Sequence, residues 1–146
     1  MTSTGIKLFF LGLSFFFVIK GWGQGPENWT PGQLMQPADL ARAIREAKDI
    51  PVIFCIGPKS YIPGSVHIGM TKDKDKLDKL KGELKSLPKD RKLVVYCGCC
   101  PFANCPNVRP AIRLLKDMRF TNYFLLNLVK NIKVDWIDKG YPVLYD

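Results

Sequence analysis

Four of the five cysteines of this chain lie between positions 97 and 105, and thiols grouped this closely act as nucleophiles, metal ligands or disulfide partners. Cys97 directly follows the apolar run 93–96, which is typical of a buried strand. In parallel sheets, ligands bind beyond the carboxyl ends of the strands, where loop N–H groups and the following helix stabilise an anion. The sequence therefore predicts that Cys97 is a nucleophile with a lowered pKa.

The other three cysteines of this loop, Cys99, Cys100 and Cys105, allow several interpretations. A disulfide from Cys105 to Cys99 or Cys100 would brace the loop or provide a resolving pair for Cys97. A thiolate site for Zn or Cu(I) is a second hypothesis and free thiols are a third, although C-x-C-C-x4-C is not a standard zinc-finger spacing. Cys55 lies within the apolar run 51–56, so we expect a buried structural residue there.

Three basic residues are further candidates for the site. Arg109 follows the loop and is placed to attract an anionic substrate, whereas we expect Arg113 to be an exposed helix residue. Arg109 lies twelve positions after Cys97, which excludes a Cys-x5-Arg phosphatase loop, because that arginine must be close enough to clamp phosphate. His67 is the only histidine, and we expect a structural hydrogen bond from it rather than a Cys-His nucleophile pair.

Residues 1–23 have the pattern of a secretory signal peptide. Lys7 precedes an apolar run at 8–19, and the predicted cleavage point lies near Gly23 and Gln24. The run is shorter than the roughly 20 residues that a membrane-spanning helix needs. We therefore expect export to the periplasm or the extracellular space, with no stable membrane span after cleavage; an uncleaved anchor is the alternative. Disulfides can persist in such a compartment.

The positive charge of the chain does not indicate a nucleic-acid partner. The formal charge falls from +9 to +7 once Lys7 and Lys20 are removed with the signal peptide. Much of the remainder lies at 72–92, where four leucines recur every three or four positions and leave the charges on the other side of a helix. The sequence predicts a solvated helix face there, which favours solubility and attraction of anionic donors.

The order of predicted elements gives the fold class. A lead-in segment at 24–37 precedes a domain at 38–146 in which apolar runs alternate with amphipathic segments. We predict strands at 51–56, 66–68, 92–96 and 122–128, and helices at 38–47, within 71–92, from 108 to 118 and at 134–139. This alternation predicts a single α/β domain with a mainly parallel sheet flanked by helices on both faces.

Several segments together resemble the rhodanese-like domains of the sulfurtransferase superfamily. Residues 62–69 are similar to the family's GHIPGAxHI segment, 93–97 to its strand ending in the active-site cysteine, and 111–115 to the helix after the active-site loop. Residues 128–143 are similar to its closing LxGGIxxWxxxGyPv pattern. The resemblance implies that Cys97 accepts sulfane sulfur as a persulfide. We expect the loop 98–107 to form the anion and persulfide pocket, with substrate contacts from Gly98, Cys99 and Cys100. The resemblance also implies an anionic donor such as thiosulfate or a persulfide, a thiol acceptor and no required cofactor.

The chain departs from the family pattern at three places. Residues 55–58 replace the usual Asp-Val-Arg type segment, and Lys130 and Asn131 replace the paired glycines. The active-site loop is longer than usual and rich in cysteine, with no basic residue soon after Cys97. We therefore expect an exported sulfurtransferase with an atypical loop. The alternatives are a thiol-disulfide oxidoreductase and a non-enzymatic module that binds a metal or a partner through the loop.

Overall fold

Five parallel strands form one sheet in the computed structural model, which describes residues 29–145. The sheet order is β1-β5-β4-β2-β3, so β4 lies in the middle. The strands are β1 (Leu34–Met35), β2 (Val52–Cys55), β3 (Ser65–His67), β4 (Leu93–Tyr96) and β5 (Tyr123–Leu126). The predicted α/β class is confirmed, and the sheet is parallel throughout. The predicted signal peptide lies outside the described residues.

Strands β2 and β4 are buried on both faces, which explains why their sequences are continuously apolar. Along β4, alternate side chains enter two separate cores: Leu93 and Val95 pack on one face, and Val94 and Tyr96 on the other. The residue that follows β4, Cys97, belongs to the first face.

Helices cover both faces of the sheet, as predicted. They are α1 (Pro37–Glu46), α2 (Lys74–Lys85), α3 (Val108–Asp117) and a five-residue π-helix (Lys133–Ile137). On the face that holds Cys97, α2 packs through Leu80 and Leu84, and α3 packs through its buried apolar residues. On the other face, α1 packs through Leu40, and Trp136 of the π-helix is fully buried.

The lysine-rich segment forms an amphipathic helix, as its leucine spacing predicts. Leu80 and Leu84 are fully buried, while lysines such as Lys74 and Lys79 are exposed. The exposed ion pair between Lys74 and Asp78 spans one helical turn. Among the helices of residues 29–145, none has the length and apolar character needed to cross a membrane.

One strand was not predicted. The lead-in segment contributes β1, which pairs with β5 through Leu34 opposite Leu125 and Met35 opposite Leu126. Asn127 also donates its backbone N–H to the carbonyl oxygen of Met35. Two residues are too few to show the alternation that predicts a strand, so β1 is recognised only from its pairing with β5.

Candidate active site

Cys97 occupies the position that the sequence predicts, immediately after the middle strand of the sheet. Its side chain is buried, with 2% of the residue exposed. Gly57, which follows the neighbouring strand β2, lies against it, and a Cβ atom at Gly57 would be only 2.9 Å from the Cys97 Sγ atom. The glycine at position 57 therefore leaves room for the Cys97 sulfur.

His67 supports this turn from the edge of the sheet. Its Nε2 atom donates a hydrogen bond to the Gly57 carbonyl oxygen over 3.1 Å. This contact agrees with the structural role expected for the histidine. The histidine therefore bonds to the Gly57 backbone beside Cys97 and not to the thiol itself.

The structure brings all four loop cysteines together. Their Sγ atoms all lie within 4.8 Å of one another, and we call this group the four-thiol cluster (Cys97, Cys99, Cys100 and Cys105). The Sγ atom of Cys99 is 3.3 Å from that of Cys97 and 3.3 Å from that of Cys100. Cys97 and Cys105 are buried, Cys100 is half-buried and Cys99 is exposed, so the cluster runs from the core to the surface. The sulfurs are not linked to one another.

Hydrogen bonding inside the cluster favours a thiolate at Cys97. The pKa of Cys97 is lowered to about 5, chiefly because the Cys105 thiol donates to its sulfur. The Cys99 N–H group, the Asn107 side chain and the Cys99 thiol lower the pKa further, and burial opposes them. The pKa of Cys105 is raised, because its proton is held between the two sulfurs. Burial, followed by hydrogen bonding to Cys100 and Cys97, raises the pKa of Cys99 to about 12.

Asn107, the last residue of the predicted pocket loop, contacts this sulfur, a role that its sequence position alone does not single out. The residue is 2% exposed, and its Nδ2 atom lies 3.5 Å from the Cys97 Sγ atom. Its Oδ1 atom accepts a hydrogen bond from the Lys72 N–H group, and its carbonyl oxygen accepts one from the Thr71 hydroxyl. An asparagine just before a helix is typical of an N-cap. Here the side chain makes no capping bond, because it is directed to the sulfur and to the Lys72 backbone.

The C-terminal segment holds the start of the loop. Ile132 donates its backbone N–H to the Gly98 carbonyl oxygen over 3.0 Å. A Cβ atom at Gly98 would be 2.9 Å from the Ile132 side chain, so only glycine allows this approach. Farther along the loop, the Phe102 N–H group donates to the Leu128 carbonyl oxygen. Gly98, predicted to bind substrate, therefore also fixes the loop against Ile132.

The predicted arginines lie in a separate groove. Arg109 and Arg113 line a depression of about 200 Å³ between α2 and α3, together with Leu77, and its lining includes no cysteine. The structure therefore does not bring Arg109 into the four-thiol cluster. A larger groove, of about 510 Å³, lies between α1, which contributes Arg42 and Glu46, and the amino ends of strands, where Leu34 and Lys92 line it. That is the end of a parallel sheet opposite to where ligands bind.

Cys55 is separate from the cluster. It is fully buried in the core on the opposite face of the sheet, as predicted. Its thiol donates to the Lys59 carbonyl oxygen over 3.2 Å, and burial raises its pKa. This residue is therefore a natural control for experiments on the other four cysteines.

Comparison with known families relates this geometry to other proteins. Residues 37–128 match the family described as Rhodanese-like domain. The matched region includes four of the five strands (β2 to β5), all three α-helices and the four-thiol cluster, and it begins just after β1. A search of the curated proteins found no match to this sequence.

Several solved structures share the fold. The BH2092 protein from Bacillus halodurans has a TM-score of 0.58 at 19% identity, with 77% of each chain covered. The rhodanese-like domain of the Alr3790 protein from Anabaena sp. has a TM-score of 0.55 at 17% identity, covering 78% of this chain and 80% of that one. The single-domain sulfurtransferase RDL2 from Saccharomyces cerevisiae has a TM-score of 0.54 at 14% identity, covering 77% of this chain and 94% of that one. At these identities the likeness establishes the fold.

Proposed function

This chain belongs to the rhodanese-like domain family, and from that premise we propose that it is a sulfurtransferase that carries sulfane sulfur on Cys97. The observation that carries the proposal is the position of the Cys97 thiol. It follows the middle strand of a parallel sheet and receives hydrogen bonds from Asn107 and the Cys99 backbone. A sulfur held this way is stabilised as the thiolate, which is the nucleophilic form.

The reaction has two displacement steps. In the first, the Cys97 thiolate attacks the outer sulfur of thiosulfate, the S–S bond of the donor breaks and sulfite leaves with the bonding electron pair. In the second, an acceptor thiolate attacks the outer sulfur of the Cys97 persulfide, which releases Cys97 as the thiolate and forms the acceptor persulfide. When the donor is a persulfide instead of thiosulfate, the leaving group is a thiolate. No external oxidant is needed in either case.

The loop supplies hydrogen-bond donors for this chemistry. The N–H group of Cys99 and the Nδ2 atom of Asn107 already face the sulfur, and such donors stabilise negative charge that develops during transfer. Because Cys97 is buried and the adjacent Cys99 is exposed, a donor reaches Cys97 from the Cys99 side. We assign substrate contacts to Cys99 and Cys100 for this reason, and a more distant attraction of anions to Arg109.

A comparison of two cysteine variants tests the proposal. Protein that has been reduced and freed of metal is incubated with thiosulfate or a persulfide, and the mass of each tryptic peptide is measured. We expect the peptide that carries all four loop cysteines to gain one sulfur atom in the native protein and in the Cys55→Ser control, with the sulfur located on Cys97 by fragment-ion sequencing. Cys97→Ser should abolish this gain and turnover to a thiol or to cyanide. Persistent sulfur uptake and turnover by Cys97→Ser would refute the assignment.

A second candidate function, thiol-disulfide exchange, is favoured by the 3.3 Å separation of the Cys97 and Cys99 sulfurs. In that reaction a Cys97–Cys99 disulfide would form as a substrate disulfide is reduced to two thiols. Counting free thiols before and after treatment with a disulfide substrate distinguishes the two functions. An oxidoreductase loses two thiols and gains no sulfur, whereas a sulfurtransferase given thiosulfate gains sulfur at Cys97.

Export is also part of the proposal. The signal-like pattern at 1–23 supports it, and Cys97 would then act in an oxidising compartment. We expect cell fractionation to place the protein in the exported fraction, with a mature N-terminus near Gln24. An intact N-terminus in the cytoplasmic fraction would contradict this part.

A further inference from the structure

The four-thiol cluster has an arrangement that sulfur transfer alone does not require. Sulfur transfer needs one nucleophilic thiol, yet here three more thiols converge on it, each Sγ within 4.8 Å of the other three. Two of the four cysteines belong to the core and two lie toward solvent. The cluster is thus enclosed on the protein side and open to solvent at Cys99.

The spacing of the sulfurs is close to that of a tetrahedral metal site. Zinc binds thiolates at about 2.3 Å, which places the sulfurs of a four-thiolate site about 3.8 Å apart. Two of the sulfur–sulfur distances in the cluster are 3.3 Å and all are at most 4.8 Å, so the distance expected in a zinc site falls within their range.

Hydrogen-bond donors other than the thiols already face the sulfurs. The Nδ2 atom of Asn107 and the Cys99 N–H group contact the Cys97 sulfur, and the Asn107 N–H group contacts the Cys105 sulfur. Such outer contacts orient metal ligands and disperse the charge of thiolates. Asn107 is itself fixed by Thr71 and Lys72, so this outer layer is preorganised.

We propose that Cys97, Cys99, Cys100 and Cys105 bind one Zn²⁺ ion in a tetrahedral four-thiolate site. Zinc remains Zn²⁺, each thiol still protonated releases its proton to the buffer, and no redox partner is involved. The site itself does not depend on the proposed function. One consequence does rest on it: zinc binding occupies the Cys97 sulfur, so the zinc-bound protein does not accept sulfane sulfur.

Metal titration of the full chain tests the site. Reduced, metal-free protein is titrated with Zn²⁺ in competition with a chromogenic chelator, and bound zinc is counted by elemental analysis. We expect one equivalent of zinc. In a parallel sample, Co²⁺ should give the thiolate-to-cobalt absorption and visible bands of a tetrahedral four-sulfur site.

Matched variants show which thiols bind the ion. Cys99→Ser alters an exposed side chain, so we expect the fold to be kept and the zinc affinity to fall more than the roughly 10–100-fold typical of an outer-shell loss. Cys100→Ser should act in the same direction. Cys55→Ser, which changes a cysteine in the opposite core, should leave the affinity unchanged.

Each contrary result has a defined meaning. Zinc uptake below one equivalent in the native protein, or equal affinities in Cys99→Ser and Cys55→Ser, would overturn the site. Binding of Cu(I) without binding of Zn²⁺ would overturn the assignment of zinc. Persulfide formation by metal-free protein that takes up no zinc would refute this inference and leave the proposed function standing. Zinc uptake by a protein that forms no persulfide when metal-free would support the zinc site and refute the proposed function.

Discussion

Replacing Asn107 by Asp isolates the electrostatic role of the residue beside the Cys97 sulfur. The two side chains have nearly the same size, and the carboxylate keeps an oxygen to accept the hydrogen bond from the Lys72 N–H group. The change replaces the Nδ2 donor with a charged oxygen at the same place, 3.5 Å from the Cys97 Sγ atom. The packing is therefore preserved while the interaction with the thiolate is reversed.

The size of the effect follows from the distance. Two unit negative charges 3.5 Å apart repel by about 5 kcal/mol at an effective dielectric constant of about 20. Since about 1.4 kcal/mol corresponds to one pKa unit, the pKa of Cys97 should rise by about 3 units. In the native protein, where that pKa is lowered to about 5, about 99% of Cys97 is thiolate at pH 7. In Asn107→Asp the thiolate becomes the minor form at the same pH.

The assay is the pH dependence of alkylation at Cys97 in reduced, metal-free protein, with the modified cysteine located by fragment-ion sequencing, because all four loop cysteines lie on one tryptic peptide. The midpoint should move upward by about 3 pH units in Asn107→Asp, and persulfide formation at pH 7 should fall accordingly. Asn104→Asp is the matched control, because it makes the same chemical change at an exposed position of the same loop. A midpoint within about 0.5 unit of the native value would refute the reasoning, since a charge in contact with the sulfur must shift its titration.

Three further outcomes are expected. In the native reduced protein, alkylation of Cys97 should be half-maximal near pH 5, because its thiolate is stabilised. Alkylation of Cys99 should still rise at the highest pH tested, because its pKa is raised to about 12. The same pH dependence of alkylation at both cysteines would contradict this. Gly57→Ala should displace the Cys97 sulfur and slow persulfide formation, because the new Cβ atom would lie 2.9 Å from that sulfur. The control Gly82→Ala, in open space within α2, should raise the free energy of unfolding by about 0.5–1 kcal/mol without altering activity. Equal activities in the two variants would show that the sulfur tolerates the methyl group. Leu80→Ala should lower the free energy of unfolding by about 2–5 kcal/mol, because the side chain is fully buried, and denaturant titration measures this; a loss under about 1 kcal/mol would contradict the packing of α2.

The sequence was most informative where one local pattern determines the structure. Continuous apolar runs predicted the buried strands β2 and β4, and leucine spacing predicted α2. The same logic placed Cys97 at the carboxyl end of a strand. Strand β1 was missed because two residues show no period, and its position depends on pairing with the distant strand β5.

The interior of the site was less predictable than its location. The spacing of the cysteines in the sequence does not show that the Cys105 thiol lies beside Cys97, because the path of the intervening loop depends on contacts with Leu128 and Ile132. It also does not show that Arg109 lies in the groove between α2 and α3. Asn107 was overlooked because its side chain departs from the usual capping role. A polar residue buried beside a candidate nucleophile is recognised only once the loop is folded.

The hydrogen bond from Ile132 to Gly98 affects where this domain can be cut. The family match ends at residue 128, and a chain shortened there would keep all five strands and all five cysteines. It would nevertheless lose Ile132, which holds the first turn of the cysteine loop, and Trp136, which fills the opposite core. The smallest unit able to hold the thiols in place therefore extends past the recognisable family border, and recombinant versions of such domains need the π-helix as well as the sheet.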